Sequence, residues 1–131
     1  MIYLDSSALM KLVREEAETE ALREWLVDRP GVPVVTSELG RIEVLCAARR
    51  VGSEALVEAR AAVGDVDLVP LDRSVQDVAC EIGGASLRTL DALHLASAVL
   101  LGDDLTVLVA YDDRLLDAAR DVGLPVATPR P

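Results

Sequence analysis

Of the twenty-three acidic residues in the chain, four stand where a carboxylate is informative. Asp5 closes the apolar run Ile2-Tyr3-Leu4, and Asp112 closes the longer run Thr106-Val107-Leu108-Val109-Ala110-Tyr111. Read as strands of a parallel sheet, both runs end on an acid at the carboxyl edge, where loops converge and ligand-binding groups collect. Glu43 shares a helix face with Leu39, Cys46 and Ala47, at spacings that turn it inward. Asp91 is the sharper case. The segment Thr89 to Leu101 carries no other charged side chain, and its neighbours at helical spacing are Leu87, His94, Leu95 and Ala98. A buried carboxylate needs a cation or hydrogen bonds, and no Lys or Arg on that helix supplies one.

Two strand-end acids and two inward helix acids that converge would form an all-oxygen site for a hard divalent cation such as Mg²⁺ or Mn²⁺. Bare carboxylates about 4 Å apart repel by roughly 4 kcal/mol at an effective dielectric of 20, so four together favour either a metal or raised pKa values. Structural roles compete with this reading. Asp5 and Asp112 suit the N-caps of the helices that follow, Glu43 suits a bridge to an arginine elsewhere, and Asp91 suits the first turn of a helix, where the dipole favours an acid. Asp113 and Asp117 are supporting candidates, although like charges four residues apart on a helix usually face water.

The elements that would position these acids alternate along the chain. Strand-length apolar runs at Ile2–Asp5, Val32–Thr36, Val66–Leu71, Thr106–Tyr111 and Pro125–Ala127 are separated by segments of helical period at Ser6–Arg14, Glu16–Asp28, Ser37–Arg50, Glu54–Gly64, Arg73–Gly83, Thr89–Leu101 and Asp113–Val122. This order predicts an α/β fold: a central, mostly parallel sheet of five strands with helices on both faces. Ser37, Asp72 and Thr89 stand where N-caps belong. No repeat, linker or composition shift divides the chain, so one domain over residues 1–131 is expected, with a frayed tail at Thr128-Pro129-Arg130-Pro131.

Composition narrows the function classes. With 131 residues, 51% of them hydrophobic, the chain suffices for one core. No apolar run approaches the roughly 18 to 20 residues of a membrane span, and Met1-Ile2-Tyr3-Leu4-Asp5 lacks the pattern of a signal peptide, so a soluble, cytoplasmic protein is expected. Cys46 and Cys80 read as reduced core thiols. A single histidine, His94, leaves too few soft ligands for a zinc site. The formal net charge of −10 runs against nucleic-acid binding, which favours a basic face. Much of the acid, however, lies in the run Glu15, Glu16, Glu18, Glu20 and Glu24, and twelve of the thirteen basic residues are arginines, with Arg41, Arg49 and Arg50 on one helix. The planar guanidinium suits phosphate.

The ordered set Leu4-Asp5-Ser6-Ser7-Ala8-Leu9, Ser37-Glu38-Leu39 leading to Glu43, Leu90-Asp91-Ala92-Leu93-His94-Leu95-Ala96, and Tyr111-Asp112-Asp113-Arg114-Leu115 resembles the successive motifs of PIN-domain nucleases of the VapC type. The likeness spans nearly the whole chain. Each piece alone is weak; the set in this order is specific. The resemblance implies that Asp5, Glu43, Asp91 and Asp112 are the catalytic quartet that binds Mg²⁺ or Mn²⁺. It favours Asp112 over Asp113 because the family acid stands three residues before the helix leucine, here Leu115. Ser6 matches a hydroxyl position that helps order the site, and His94, although inside a motif, reads as a hydrogen-bonded core residue. Ala110 departs from the pattern, since Thr or Ser is common there, and this puts one supporting hydrogen bond in question.

What the resemblance implies for function is metal-dependent hydrolysis of RNA phosphodiester bonds, with a metal-bound water as nucleophile and 5′-phosphate and 3′-hydroxyl ends. It also implies the toxin role of a type II toxin–antitoxin pair, a VapB-type antitoxin that lays a helix or tail in an apolar groove, and a homodimer. Two other phosphoryl chemistries fit less well. A haloacid-dehalogenase-type phosphotransferase needs a second acid two residues after the first, where this chain has Ser7. A receiver domain needs a lysine after a late strand, and the only lysine is Lys11, in the first helix. A non-catalytic PIN-like binding module is the remaining alternative, and it would not require all four acids.

Overall fold

The computed structural model describes residues 1–131. The elements run β1 (Ile2–Leu4), α1 (Ser6–Val13), α2 (Thr19–Val27), β2 (Val34–Ser37), α3 (Glu38–Val51), α4 (Ser53–Gly64), β3 (Asp67–Val69), α5 (Arg73–Ala79), α6 (Thr89–Leu100), a 3₁₀ turn (Gly102–Asp104), β4 (Val107–Val109), α7 (Asp113–Asp121) and β5 (Val126–Ala127). The five strands form one sheet in the order β3-β2-β1-β4-β5, and every pairing is parallel. The predicted α/β class, strand count and strand direction agree with this.

The period-2 alternation of β1 sends its side chains to two cores. Ile2 and Leu4 join Ala8, Leu9, Leu22, Val44, Ala48, Ala59 and Val63 beneath α1 to α4. Tyr3 joins Val35, Leu95, Ala98, Leu108, Leu115, Leu116 and Ala119 beneath α6 and α7. Helices therefore cover both faces. The central strand is wholly buried, as a strand sandwiched between two helical layers must be.

Strand order reverses between β1 and β4. The chain winds outward from β1 to β2 and β3, then crosses back to lay β4 on the other side of β1. Open α/β sheets bind ligands at the carboxyl ends of the strands flanking such a reversal, because the diverging loops leave a crevice there. Asp5 follows β1 directly and Asp112 follows β4, so this crevice opens between two of the acids singled out in the sequence.

Several local expectations need correction. α2 starts at Thr19 and not Glu16 because the buried Thr19 hydroxyl accepts from the Glu16 amide at 2.9 Å and donates to the Lys11 carbonyl at 2.9 Å, closing a turn before the helix. Ser37 and Asp72 are N-caps as expected, accepting from Gly40 N and Val75 N. Thr89 is not: it is the first residue of α6, and Arg88, with no side-chain cap bond, holds the cap position. α5 stops at Ala79, four residues short of Gly83, which leaves Cys80 exposed at the helix end and not in a core, while Cys46 is half-buried; both thiols are free. The tail is not frayed. Tyr111 Oη donates to the Pro129 carbonyl at 2.8 Å, and Arg130 pairs with Glu18 at 3.5 Å and lies 5.8 Å from the Tyr111 ring. No helix is long and apolar enough to cross a membrane.

Candidate active site

Asp5 is 3% exposed, and its Oδ1 does two jobs. It caps α1 by accepting from Ala8 N at 2.9 Å, and it accepts from the Ser7 hydroxyl at 2.6 Å. Ser7 Oγ in turn accepts from the Tyr111 amide at 2.9 Å, tying the end of β1 to the end of β4 across the crevice. The hydroxyl that orders this edge is thus on Ser7. The resemblance had pointed to Ser6, which opens α1 half-buried and makes no comparable side-chain bond. Adjacent hydroxyls in Ser6-Ser7 give no sequence signal as to which turns toward the strand; only the direction of the first helical turn decides it. Ala110 is fully buried beside Tyr3 and Leu108 in the α6–α7 core, so the Ser7 link does not depend on a hydroxyl there.

Asp112 also caps a helix, accepting from Leu115 N at 3.1 Å through Oδ1 while remaining exposed. Glu43 is tethered to a histidine and not to an arginine: His94 Nε2 lies 2.7 Å from Glu43 Oε1, and His94 Nδ1 lies 2.8 Å from Tyr3 Oη. Burial pushes the Tyr3 phenol well above its usual range, against weaker downward pulls from Ser37 and Ser97, so it keeps its proton and donates to Nδ1. The imidazole then carries hydrogen on Nε2 and donates it to Glu43. His94, itself 2% exposed, is the core residue the sequence suggested, and it is also the strut that aims Glu43.

In all three carboxylates the protein engages one oxygen, Oδ1 of Asp5 and Asp112 and Oε1 of Glu43, and leaves the second free of protein hydrogen bonds. Asp91, in the first turn of α6, is half-buried without a cap bond or ion pair. Its carboxyl sits above the usual range. Burial is the main cause and Asp112 pushes the same way; His94 opposes them, followed by a smaller upward push from Glu43 and a smaller downward pull from Arg88. Asp5 is raised too, first by burial and additionally by Asp112, against Ser7, His94 and the Ala8 amide. The four predicted acids therefore occupy one electrostatic neighbourhood. No three acid, His or Cys side chains stand close enough in this conformation to share one ion. The donor set nevertheless suits a hard divalent cation: it is all oxygen, it keeps free oxygens, and two of its members are destabilised as bare anions.

Asp91 and Asp112 line an open cleft of about 350 Å³ together with Arg88, Asp113 and Arg114. Asp113 thus borders the site. Asp117 does not: it pairs with Arg120 at 3.0 Å on its own helix and lines a separate hollow.

The PIN domain family matches residues 2–121, and the chain belongs to that family. It is similar to ribonuclease VapC47 of Mycobacterium tuberculosis, 44% identical over 132 residues, covering 98% of this chain and 97% of that protein. It is also similar to ribonuclease VapC46 of the same organism, 46% identical over 128 residues with the same coverage. Among solved structures the fold resembles M. tuberculosis VapC20, described as a sarcin-ricin loop cleaving toxin, with a TM-score of 0.74 at 20% identity over all of both chains. It likewise resembles a toxin–antitoxin complex from Klebsiella pneumoniae, with a TM-score of 0.72 at 19% identity over 98% of each chain.

Proposed function

We propose that this chain is a divalent-metal-dependent ribonuclease that acts as the toxin of a type II toxin–antitoxin pair. The observation that carries the reading is identity of 40–46% over nearly the whole chain to proteins named ribonuclease VapC; the mutual charge influence of Asp5, Glu43, Asp91 and Asp112 near the ends of β1 and β4 supports it.

Asp5, Glu43, Asp91 and Asp112 would hold Mg²⁺ or Mn²⁺ through their free oxygens. The bound cation supplies the acidity that makes a water nucleophilic at neutral pH and the charge that stabilises a pentavalent phosphoryl transition state. The chain contributes position. Ser7 and the α1 amide fix Asp5, the α7 amide fixes Asp112, and His94 fixes Glu43 from a buried ring that cannot turn away. Asp91 has no protein hydrogen bond or ion pair for a cation to displace.

A VapB-type antitoxin is the proposed partner. An apolar groove of about 660 Å³ between α5 and α6, lined by Leu71, Ile82, Leu87 and Leu93 among others, reaches the helix that carries Asp91 and suits a helical or extended segment. A homodimer completes the proposal.

Incubation with total RNA in Mg²⁺ or Mn²⁺, with mapping of the ends, tests the reading. Chelator-sensitive cleavage leaving 5′-phosphate and 3′-hydroxyl is expected. Intact RNA at millimolar metal would favour the PIN-like binding module. Co-purification with the product of a neighbouring gene tests the antitoxin, and light scattering tests the dimer.

A further inference from the structure

The five side chains of the 350 Å³ cleft are all charged: Asp91, Asp112 and Asp113 against Arg88 and Arg114. In a chain of net charge −10 cations are scarce, and five of the thirteen have a partner within the chain. Lys11, Arg23, Arg120 and Arg130 pair with acids, and Arg29 lies 3.7 Å over the Trp25 ring. Arg88 and Arg114 share a cleft with three acids, yet neither guanidinium reaches ion-pair distance of any of them.

Both arginines stand at helix starts. Arg88 is the N-cap residue of the twelve-residue α6, and Arg114 is in the first turn of the nine-residue α7. The α7 end is already capped by Asp112 and the first turn of α6 carries Asp91, so the positive charge free to meet an anion in this cleft is that of the two guanidiniums. Carboxylates for a cation beside guanidiniums for an anion match a phosphodiester that carries a divalent ion. A purely acidic cleft would take the ion and repel the phosphate.

We infer that Arg88 and Arg114 form a phosphate clamp that seats the RNA backbone beside the acidic quartet. The inference rests on the ribonuclease reading and adds to it where the substrate lies. It also moves the phosphate-binding role from Arg41, Arg49 and Arg50, whose helix α3 contributes nothing to this cleft, to two arginines of α6 and α7. Each guanidinium can give a bidentate, charge-assisted contact to phosphate oxygens.

The test compares the full-length parent, Arg88→Gln, Arg114→Gln, and the control pair Arg49→Gln with Arg50→Gln. Each is assayed for cleavage of a single-stranded RNA in Mn²⁺, and for binding of the same RNA in the Asp91→Asn background by fluorescence anisotropy across a salt series. Both clamp residues are exposed, so circular dichroism should report an unchanged fold. Each clamp substitution should raise KM and Kd by about ten-fold, with a smaller effect on kcat. Each should also flatten the slope of log Kd against log salt by about 0.7, as expected for one lost phosphate contact on a single strand. The control pair should leave both quantities near the parent's. If the parent cleaves and the clamp variants match it in KM, Kd and salt slope, or the control pair loses as much, the clamp is overturned while the ribonuclease stands. If the parent binds RNA through these arginines and never cleaves it, the ribonuclease reading falls and the clamp stands.

Discussion

His94 Nε2 stands 2.7 Å from Glu43 Oε1 while the opposite ring nitrogen stands 2.8 Å from the Tyr3 hydroxyl, so a side chain of the active edge is braced from the middle of the sheet. Truncation of His94 would leave a buried phenol without its acceptor and Glu43 without its donor. His94→Ala should lower stability by about 2–4 kcal/mol and weaken Mn²⁺ binding. Chemical denaturation checks the first effect and a metal titration the second; loss of stability with unchanged metal affinity would make His94 a packing residue only.

Asp91→Asn should abolish cleavage and leave the fold intact, because Asp91 gives no hydrogen bond or ion pair to lose and suffers repulsion from Asp112 and Glu43. Without metal the variant should melt no lower than the parent. Single-turnover assays and thermal unfolding in chelator check the two halves, and parental cleavage by the variant would remove Asp91 from the site.

Asp5 and Asp91 are both raised above the ordinary carboxylate value of 3.8 in the folded chain, chiefly by burial. A raised acid binds its proton more tightly folded than unfolded, so these two groups favour folding most at low pH. Their share of stability is lost as pH rises from the ordinary value through the raised one. In chelator, the contribution of Asp91, taken as the difference between parent and Asp91→Asn unfolding curves, should decline in that direction. Millimolar Mg²⁺ or Mn²⁺ should offset the decline at neutral pH by binding the folded state. Melting curves across pH, with and without metal, test both.

Gly40 lies in the first turn of α3 with no room for a side chain, since an added Cβ would collide with the Thr36 hydroxyl and come within 3.4 Å of the His94 ring. Thr36 is fully buried and donates to the Leu4 carbonyl at 2.6 Å, one residue before Asp5. Gly40→Ala should therefore cost about 1–3 kcal/mol through overpacking and reduce activity beyond the lost stability. Denaturant melts and a specific-activity assay on the folded fraction check this.

Thr128 Oγ1 is buried with no partner. Thr128→Val keeps the shape and removes an orphaned hydroxyl, so the melting temperature should hold or rise. A fall would mean that the hydroxyl is bonded in solution.

The fold was legible because strand runs and helical periods alternate, and the four acids stood out as candidates because each breaks a pattern that an apolar residue or turn would keep. What stayed hidden depends on side-chain direction and long-range docking. Nothing in Ser6-Ser7 marks Ser7 as the residue that reaches both Asp5 and the Tyr111 amide. The bond from His94 to Glu43 joins positions 51 residues apart. The composition of Thr128-Pro129-Arg130-Pro131 reads as loose, yet Tyr111 and Glu18 hold it. Cys80 looked buried because its apolar neighbours continue a helical period that the chain abandons at Ala79.

The placing of β1 between β2 and β4 has a consequence for synthesis. The strand made first is the middle of the sheet, but one of its two partners is encoded about a hundred residues later, a long-range pairing of the kind that forms late. Until Val107–Val109 has emerged from the ribosome, the edge that carries Asp5 has no opposite wall, and Asp112 is not yet free to join it. A nascent chain, or one truncated before β4, holds Asp5, Glu43 and Asp91 but no crevice to gather them. The topology thus delays assembly of the crevice until β4 is available to pair with β1.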